Sequence, residues 1–426
     1  MRLNKIIQIF KIREIRNKIL FVLLIFAVFR IMATIPIPGI DKIKMQQFFE
    51  GMQIFGLLNI FTGGALDRLS IIMLGLGPYI TATIVLQLLT MIFPRLEEMY
   101  KEQGEAGRQK FNQYGRILAV PLAMFQGYAM LSLLQRQNVI ESLSLVEQLN
   151  SVLTITAGTI FLMWLGELIS EKGIGNGVSL LIFAGIIADF PTNIRQMVFY
   201  WNPAQILSYV LFFFIALLVI GGVVLVNEAS RNIKISYSKR VRGRKVYGGA
   251  STYLPLNINP AGVMPIIFAL SLLSFPSMIG TFLLGVENQT LANLAKMTIE
   301  FLQNPLVYGI LYFVLICLFT YFYTAVTFDP KTISENLKKM GGFIPGVRPG
   351  KSTASFLSIV LNRILLVGAL FLGFIAVAPS IVGGVTKVPA FSFLVGGTSL
   401  LIVVSVVLEI VKQIKSQLEM REYDAF

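Results

Sequence analysis

Histidine is absent from this 426-residue sequence, cysteine occurs once, and charged residues make up only 14%. The absence of histidine removes the commonest general base and metal ligand. The single cysteine, Cys317, excludes a disulfide within the chain and any cysteine metal cluster. A phosphate-binding loop G-x-x-x-x-G-K-[ST] also fails before Lys351, because Pro345 stands where its first glycine is required. We therefore predict no catalytic residues, no metal and no cofactor, and hence that the chain is not an enzyme.

Apolar residues dominate what is present: 55% of the sequence is hydrophobic, and the mean hydropathy is +0.74. A soluble domain carries about 25% charged residues. The sequence therefore predicts an all-α polytopic membrane protein, because long apolar runs in a bilayer form helices. Ten runs are candidate spans: residues 19–35, 70–93, 115–134, 153–169, 177–188, 206–226, 261–284, 306–328, 356–377 and 391–411.

Basic residues decide whether the short fifth run crosses the membrane. The loop 227–260 carries seven Lys or Arg, and it lies inside only if all ten runs cross with the N-terminus inside. Because inside loops are enriched in Lys and Arg, we predict ten transmembrane helices with both termini cytoplasmic.

Ten spans divide into two halves of five, and an odd number per half makes the second half enter from the opposite side. The sequence thus predicts two inverted five-helix halves, an architecture that places its functional centre between the halves. The predicted parts are a cytoplasmic N-terminal segment (1–18), an N-terminal half (19–194), a C-terminal half (195–411) with cytoplasmic loops 227–260 and 329–355, and a cytoplasmic tail (412–426). A small-solute secondary transporter shares inverted repeats, but it would normally keep a carboxylate at mid-span, where this sequence has none.

The stretch 55–93 is too long for one span and carries Gly63, Gly64, Asp67 and Arg68 before its uninterrupted part. We predict a short re-entrant helix at 57–69 followed by the span 70–93. Backbone that enters a bilayer without crossing it must be buried in protein or line a cavity. An interfacial helix on the outer surface remains the alternative.

Eight blocks, in order along the chain, resemble the SecY family of protein-conducting channel subunits. The blocks are IPIPGID, TGGAL with LGLGPYITATIVLQLLT, GEAGRQKFNQYGR, EKGIGNGVSLLIFAGI, KRVRGRKVYGGASTYLPLNINPAGVMPIIFA, FIPGVRPGKST, GGTSLLIVV and KQIKSQLEMR. The sequence departs at Tyr253, where the family usually has histidine. The resemblance implies the central channel of the Sec translocon, which passes unfolded preproteins across the membrane and releases apolar segments sideways into lipid.

The resemblance also implies roles for individual residues. An aliphatic pore ring would be formed by Leu76, Ile80, Ile182, Ile186, Ile267 and Ile402. A plug would include Phe61, Thr62, Gly63, Gly64, Ala65 and Leu66. A lateral gate would carry the polar residues Thr81, Gln126 and Asn259. Docking residues for the motor and the ribosome would be Lys239, Arg240, Arg242, Arg244, Lys245 and Arg348.

The same resemblance implies partners and a location. The partners would be the small membrane subunits SecE and SecG, the ATPase SecA, the ribosome, an unfolded preprotein with its signal peptide, and membrane lipid. The location would be the bacterial inner membrane. The basic loops by themselves leave the partner open, because a basic patch suits acidic protein, RNA and anionic lipid alike.

Overall fold

A computed structural model describes residues 12–37, 62, 64–66, 68–101, 103–136, 139–140, 143–199, 206–237, 240–242, 245–247, 251–283, 288–386 and 397–424. The helices are α1 Arg13–Met32, α2 Gly77–Ile92, α3 Pro94–Lys101, α4 Gly104–Arg136, α5 Leu145–Lys172, α6 Gly177–Phe199, α7 Ile206–Glu228, α8 Met264–Leu283, α9 Gln289–Gln303, α10 Pro305–Thr327, α11 Pro330–Lys339, α12 Lys351–Thr386 and α13 Gly397–Asp424. The strands are β1 Ser230–Tyr237, β2 Arg240–Arg242, β3 Lys245–Tyr247, β4 Ser251–Asn257 and β5 Gly342–Phe343.

A helix occupies the position of each predicted span: α1, α2, α4, α5, α6, α7, α8, α10, α12 and α13. Among the described residues, four helical segments are by themselves long and apolar enough to cross a membrane: Gly104–Gln135, Leu145–Lys172, Leu306–Lys339 and Lys351–Ala378. The pair α2 and α3 supplies a fifth if it is counted as one bent span. The chain is therefore an all-α polytopic membrane protein. The start of the tenth predicted span, 391–396, lies outside the described residues.

The predicted second span, 70–93, is wrong at its beginning. Helix α2 starts only at Gly77, Ser70 forms an isolated β-bridge with Pro36, and residues 71–76 form consecutive turns. The left-handed conformations of Leu69 (φ 41°) and Gly75 (φ 56°) are incompatible with a continuous right-handed helix. After Ile92 the chain bends by 115° into α3. The turns are nevertheless packed inside the protein, since Ser70, Ile72 and Met73 are fully buried, as irregular backbone among membrane spans requires.

In the part of the chain that the structure describes, the two halves meet most extensively along two junctions. At the first, α8 of the C-terminal half packs against α2 and α4 of the N-terminal half. At the second, α6 packs against α13. Within the halves, α4 packs on α2 and α5, while α10 packs on α8 and α12. The region between the two junctions is thus bounded by helices from both halves.

A small β-sheet was not predicted. Strand β1 pairs with β4 in an antiparallel register that runs from Ser230 opposite Asn257 to Ser236 opposite Ser251. Strand β5, from the second basic loop, pairs with the other edge of β1. A separate hydrophobic cluster beneath the sheet includes Ile233, Leu256 and Ile344. The two loops that the sequence presents as independent therefore fold as one unit, which we call the basic cap (residues 230–257 and 329–351).

Candidate functional site

The six aliphatic residues of the predicted ring all lie in one hydrophobic cluster. Their exposed fractions range from 0% for Ile402 to 9% for Ile186. Leu76 is the N-cap of α2 and Ile80 lies one turn later, so both side chains point to the same side. The other four come from α6, α8 and α13. All six therefore come from helices that form the two junctions between the halves.

A largely apolar cavity of about 850 Å³, including its open mouth, lies beside this cluster. Four members of the predicted ring line it: Leu76, Ile80, Ile182 and Ile267. Ile186 and Ile402 are not among its lining residues, although they belong to the same cluster. The cavity also reaches Thr62 and Leu66 of the predicted plug. The structure thus brings ring and plug residues together around one space.

The predicted plug helix is interrupted after its described beginning. Thr62 is helical, but Gly64, Ala65 and Leu66 form turns, and Gly64 has φ 74°. The expectation of a continuous helix over 57–69 is therefore wrong for the described part, because a positive φ breaks a right-handed helix. Residues 57–60, Phe61 and Gly63 lie outside the described residues.

Hydrogen bonds hold this segment, 62–76, in place. The amide of Leu66 donates to Thr62 Oγ1 at 3.3 Å, and the amide of Ser70 donates to the carbonyl of Ala65 at 2.9 Å. The residues that follow α1 pair with residues 69–71 through two backbone hydrogen bonds. The amide of Ile37 donates to the carbonyl of Leu69 at 2.9 Å, and the amide of Ile71 donates to the carbonyl of Ile35 at 3.1 Å. Backbone contacts thus fix residues 65–71, which lie between the cavity-lining residues Thr62 and Met73 in the chain.

Polar side chains face each other across the first junction. Thr81 on α2 and Gln126 on α4 line the cavity, and Ser271 and Ser274 on α8 line it from the other half. The hydroxyl groups of Thr81 and Ser274 each donate to a carbonyl of their own helix, at 2.9 and 2.8 Å. Sequence reasoning missed the two serines. Their i, i+3 spacing in the otherwise apolar run 261–284 was the available signal.

Asn259, the third residue predicted for the lateral gate, is not among the residues that line this cavity with Thr81 and Gln126. Its side-chain amide donates to Asn227 Oδ1 at 2.9 Å and to the carbonyl of Gly262 at 3.1 Å. Asn227 in turn donates to Ser405 Oγ at 2.7 Å. Lys412 donates to the carbonyl of Asn227 at 3.0 Å. This polar network ties α7, the start of α8 and α13 together within the C-terminal half.

Four of the six predicted docking residues are described, and they lie on the basic cap: Arg240, Arg242, Lys245 and Arg348. Arg348 is exposed in the turn between β5 and α12, where Gly346 and Gly350 have φ 83° and 102°. Its carbonyl accepts a hydrogen bond from the Thr353 hydroxyl at 2.9 Å, and Ile344 is buried in the cluster below. Strand β2, with Arg240 and Arg242, pairs with β3, which begins at Lys245, whereas Lys239 and Arg244 lie outside the described residues.

Chemically, the site offers an apolar cavity with a few hydroxyl and amide groups in its lining. In the described part of the chain, no group of three His, Cys, Asp or Glu side chains could hold a metal ion. Arg116 and Glu167 form an ion pair with Nε and Oε1 at 2.6 Å, and it joins α4 to α5 away from the cavity. The arrangement can enclose, release or exclude a molecule by opening, since helix packing governs access to it.

Comparisons with known proteins agree with this geometry. The family model described as SecY matches residues 70–411. The protein translocase subunit SecY of Thermotoga maritima is 44% identical over 428 residues, covering 98% of this chain and 96% of the relative. A solved structure described as "The structure of a protein conducting channel" aligns with a TM-score of 0.65 at 18% identity, over 93% of this chain and 91% of that one. Another, described as "Sec61 in the Canine ribosome-channel complex from the endoplasmic reticulum", aligns with a TM-score of 0.62 at 17% identity over the same shares.

Proposed function

The chain belongs to the SecY family, and from this premise we propose that it is the central protein-conducting channel of a Sec translocon. It passes unfolded preproteins across the membrane and releases apolar segments laterally into lipid. The single observation that carries the proposal is the cavity shared by ring residues from both halves, plug residues and a polar seam. Family membership sets aside the small-solute transporter, which no observation favours.

The pore ring would act as the seal. Aliphatic side chains offer water no hydrogen-bonding partner, so a narrow neck made of them sheds water and blocks ions. Ile80, Ile182 and Ile267 can move apart with their helices and close again around a threaded chain. Such side chains make no sequence-specific hydrogen bond, so the same neck suits any preprotein.

The predicted plug, residues 57–69, would fill the channel while it is idle, and the structure describes residues 62, 64–66, 68 and 69 of it. Its side chains Ala65 and Leu66 are buried, and the Leu69 carbonyl accepts from the Ile37 amide at 2.9 Å, outside the helices of the bundle. An arriving polypeptide can displace such turns without unfolding the surrounding helices, because their hydrogen bonds are separate from those within the helices.

The first junction would act as the lateral gate. The polar groups of Thr81, Gln126, Ser271 and Ser274 favour a closed seam, because each is better placed beside protein or water than beside lipid tails. An apolar signal helix competes with these contacts and enters between α8 and the pair α2 and α4. Asn259 would support the gate from behind by fixing the start of α8 to α7 and α13.

The basic cap would dock the partners that supply work. The chain would receive preproteins from SecA, through Arg348, or from the ribosome, through the β2–β3 hairpin and its flanking residues. A structural neighbour from a ribosome complex supports the ribosome as a partner. SecE and SecG would complete the complex in the bacterial inner membrane, with the cap and both termini in the cytoplasm. The chain itself would carry out no chemical step.

Reconstitution tests the proposal directly. The chain, co-expressed with its SecE and SecG partners, is placed in proteoliposomes with SecA, ATP and a radiolabelled preprotein. Protection of the preprotein from external protease is the expected result, and it should require both ATP and a signal peptide. Protease sensitivity equal to that of empty liposomes, from a complex that elutes as a single species, would contradict the proposed activity.

A further inference from the structure

Helix α9 (Gln289–Gln303) has an inner face that is fixed to the bundle. Ala295 and Leu302 are buried. Ile299 packs on α8: a Cβ atom added to Gly280 would lie 3.1 Å from Ile299 Cγ1. Helix α9 also continues into α10 through Asn304, whose side chain caps α10 by accepting from the amide of Leu306 at 3.1 Å. The helix is thus attached to both neighbours and cannot turn freely.

A second face of α9 is apolar and exposed. The exposed fractions of Leu294, Met297 and Phe301 are 61%, 71% and 55%. At about 100° per residue, these three side chains fall within one narrow sector of the helix. The adjacent sector is polar and contains Asn293, Lys296 and Glu300. The helix therefore has separate sides for the protein, for an apolar surrounding and for water.

The position of α9 in the bundle identifies that apolar surrounding. Helices α8 and α10 each have one end at the basic cap, through β4 and α11, and α9 connects their opposite ends. Below it, α10 exposes an apolar stripe with a spacing of four residues: Leu306, Ile310, Val314 and Leu318. In a polytopic membrane protein, such a stripe faces lipid tails. This stripe begins at Leu306, two residues after Asn304 joins α9 to α10, so exposed apolar side chains follow those of α9 closely along the chain.

We propose that α9 lies in the membrane interface at the end of the bundle opposite the basic cap, with Leu294, Met297 and Phe301 inserted among the lipid tails. Asn293, Lys296 and Glu300 face the water. Amphipathic helices take this position when an apolar face and a polar face lie side by side. Lys296 and Glu300 are 4.0 Å apart and carry opposite charges, so the insertion does not depend on anionic lipid.

The position of α9 in the membrane interface would restrict how α8 moves at the first junction. Because α9 is packed on α8 and continuous with α10, it anchors both helices in the leaflet that lies at that end. Any movement of α8 away from α2 and α4 must carry α9 sideways along the membrane surface. The placement itself rests on membrane location alone and does not require that the chain conducts protein.

Spin labels at neighbouring residues test the placement. In a Cys317→Ser background, single variants Met297→Cys and Lys296→Cys are labelled with a nitroxide in vesicles of phosphatidylcholine, with and without phosphatidylglycerol. Collisions with oxygen, which concentrates among lipid tails, are compared with collisions with a water-soluble nickel chelate. The oxygen-to-nickel ratio at 297 should exceed that at 296 by about fivefold, as for a side chain several ångströms below the headgroups, and it should be the same in both lipids.

The second pair, Phe301→Cys and Glu300→Cys, gives an independent reading should either of the first variants fail to fold. Leu318→Cys on α10 is the lipid-facing reference. Equal ratios within each pair would overturn the proposal, because the apolar face would then lie in water. Low collision rates with both reagents at 297 and 301 would also overturn it, because a second protein or another copy of this chain would cover the face. A high oxygen-to-nickel ratio at 297 only in vesicles with phosphatidylglycerol would also overturn it, because the insertion would then depend on anionic lipid in spite of the opposite charges of Lys296 and Glu300.

Discussion

Gly158 lies where helix α5 comes closest to the turns before α2. A Cβ atom at this position would overlap the carbonyl oxygen of Ile71 and approach Ile72 Cγ2 to 3.2 Å. Only a glycine allows the two backbones to pack at this separation, as small residues do between membrane helices. The position of the turns at residues 71–76 therefore depends on a residue that has no side chain.

Gly158→Ala is expected to displace these turns and loosen the plug. The displacement should raise the idle ion conductance of the reconstituted channel and cost about 1–3 kcal/mol of unfolding free energy, as overpacking does. Planar-bilayer recordings and thermal unfolding in detergent measure the two effects. Gly127→Ala is the matched control, because its Cβ would meet Ile155 Cγ2 at an ordinary 3.6 Å. Equal conductance for both variants would show that the turns do not depend on Gly158.

Gln126 and Asn259 provide a second comparison between individual residues. Gln126→Leu removes a polar group from the cavity side of the seam, so less apolar signal segments should enter. The expected change is roughly threefold in insertion of a borderline segment, which corresponds to about 0.6 kcal/mol per polar contact in a membrane protein. Glycosylation or protease mapping of a graded series of segments measures it.

Asn259→Leu should act differently, because it leaves Asn227 without its donor inside the C-terminal half. A loss of about 1–3 kcal/mol in stability is expected, as for an unsatisfied buried polar group, with little change in the segment threshold. A threshold that shifts as much for Asn259→Leu as for Gln126→Leu would place Asn259 at the seam after all.

Among the elements, the basic cap is the clearest case of cooperation between distant parts of the chain. Strand β5 contributes only Gly342 and Phe343, yet it pairs with Ser236 and Tyr237 of β1. Helix α11 is tied to the end of the turn by Ser334, whose hydroxyl donates to the carbonyl of Gly350 at 2.7 Å. The exposed turn that carries Arg348 is therefore supported on both sides by ordered backbone.

Arg348→Glu should abolish SecA-driven translocation and leave the folded complex intact. The reversed charge repels an acidic docking surface, while the side chain is exposed and contributes little to stability. Preprotein protection in proteoliposomes and the elution profile of the complex measure the two properties. Lys351→Glu is the control: it makes the same charge change three residues away, at the start of α12, where an acidic side chain suits the helix. Similar losses for both would mean that the general charge of the cap matters, and not Arg348.

In the whole molecule, the two junctions between the halves have different compositions. The junction of α8 with α2 and α4 carries hydroxyl and amide groups beside a cavity. The junction of α6 with α13 contributes Leu180, Leu181 and Leu401 to the main hydrophobic cluster. Near the first residues of α1, a further cluster joins Ile15 to Ile414. The cavity-lined junction is therefore expected to open, while the other acts as a hinge.

Replacing Ile80, Ile186 and Ile402 together with serine should make the idle channel leak ions. Three hydroxyl groups in the neck allow water to fill it, and a wet neck conducts. The control is the triple serine variant of Ile310, Val314 and Leu318, whose side chains are exposed on α10. Single-channel recordings should show a conductance increase only for the first variant. An unchanged conductance would mean that these three residues do not form the seal.

The sequence by itself determined the membrane class, the ten apolar runs and the inside position expected for the basic loops. Each of these follows from composition and from local periodicity, which a helix in lipid must satisfy residue by residue. The ordered blocks also pointed to the family. Composition and periodicity could not predict the irregular backbone of residues 70–76, because the apolar residues of this stretch are equally suited to a helix.

Only the tertiary structure decided where that backbone runs, since the close contact of Ile71 with Gly158 joins residues far apart in the chain. It likewise paired β5 with β1, placed Ser271 and Ser274 opposite Gln126, and moved Asn259 into a separate network. Such contacts depend on which helices meet, and hydrophobic periodicity marks a buried face without specifying its partner.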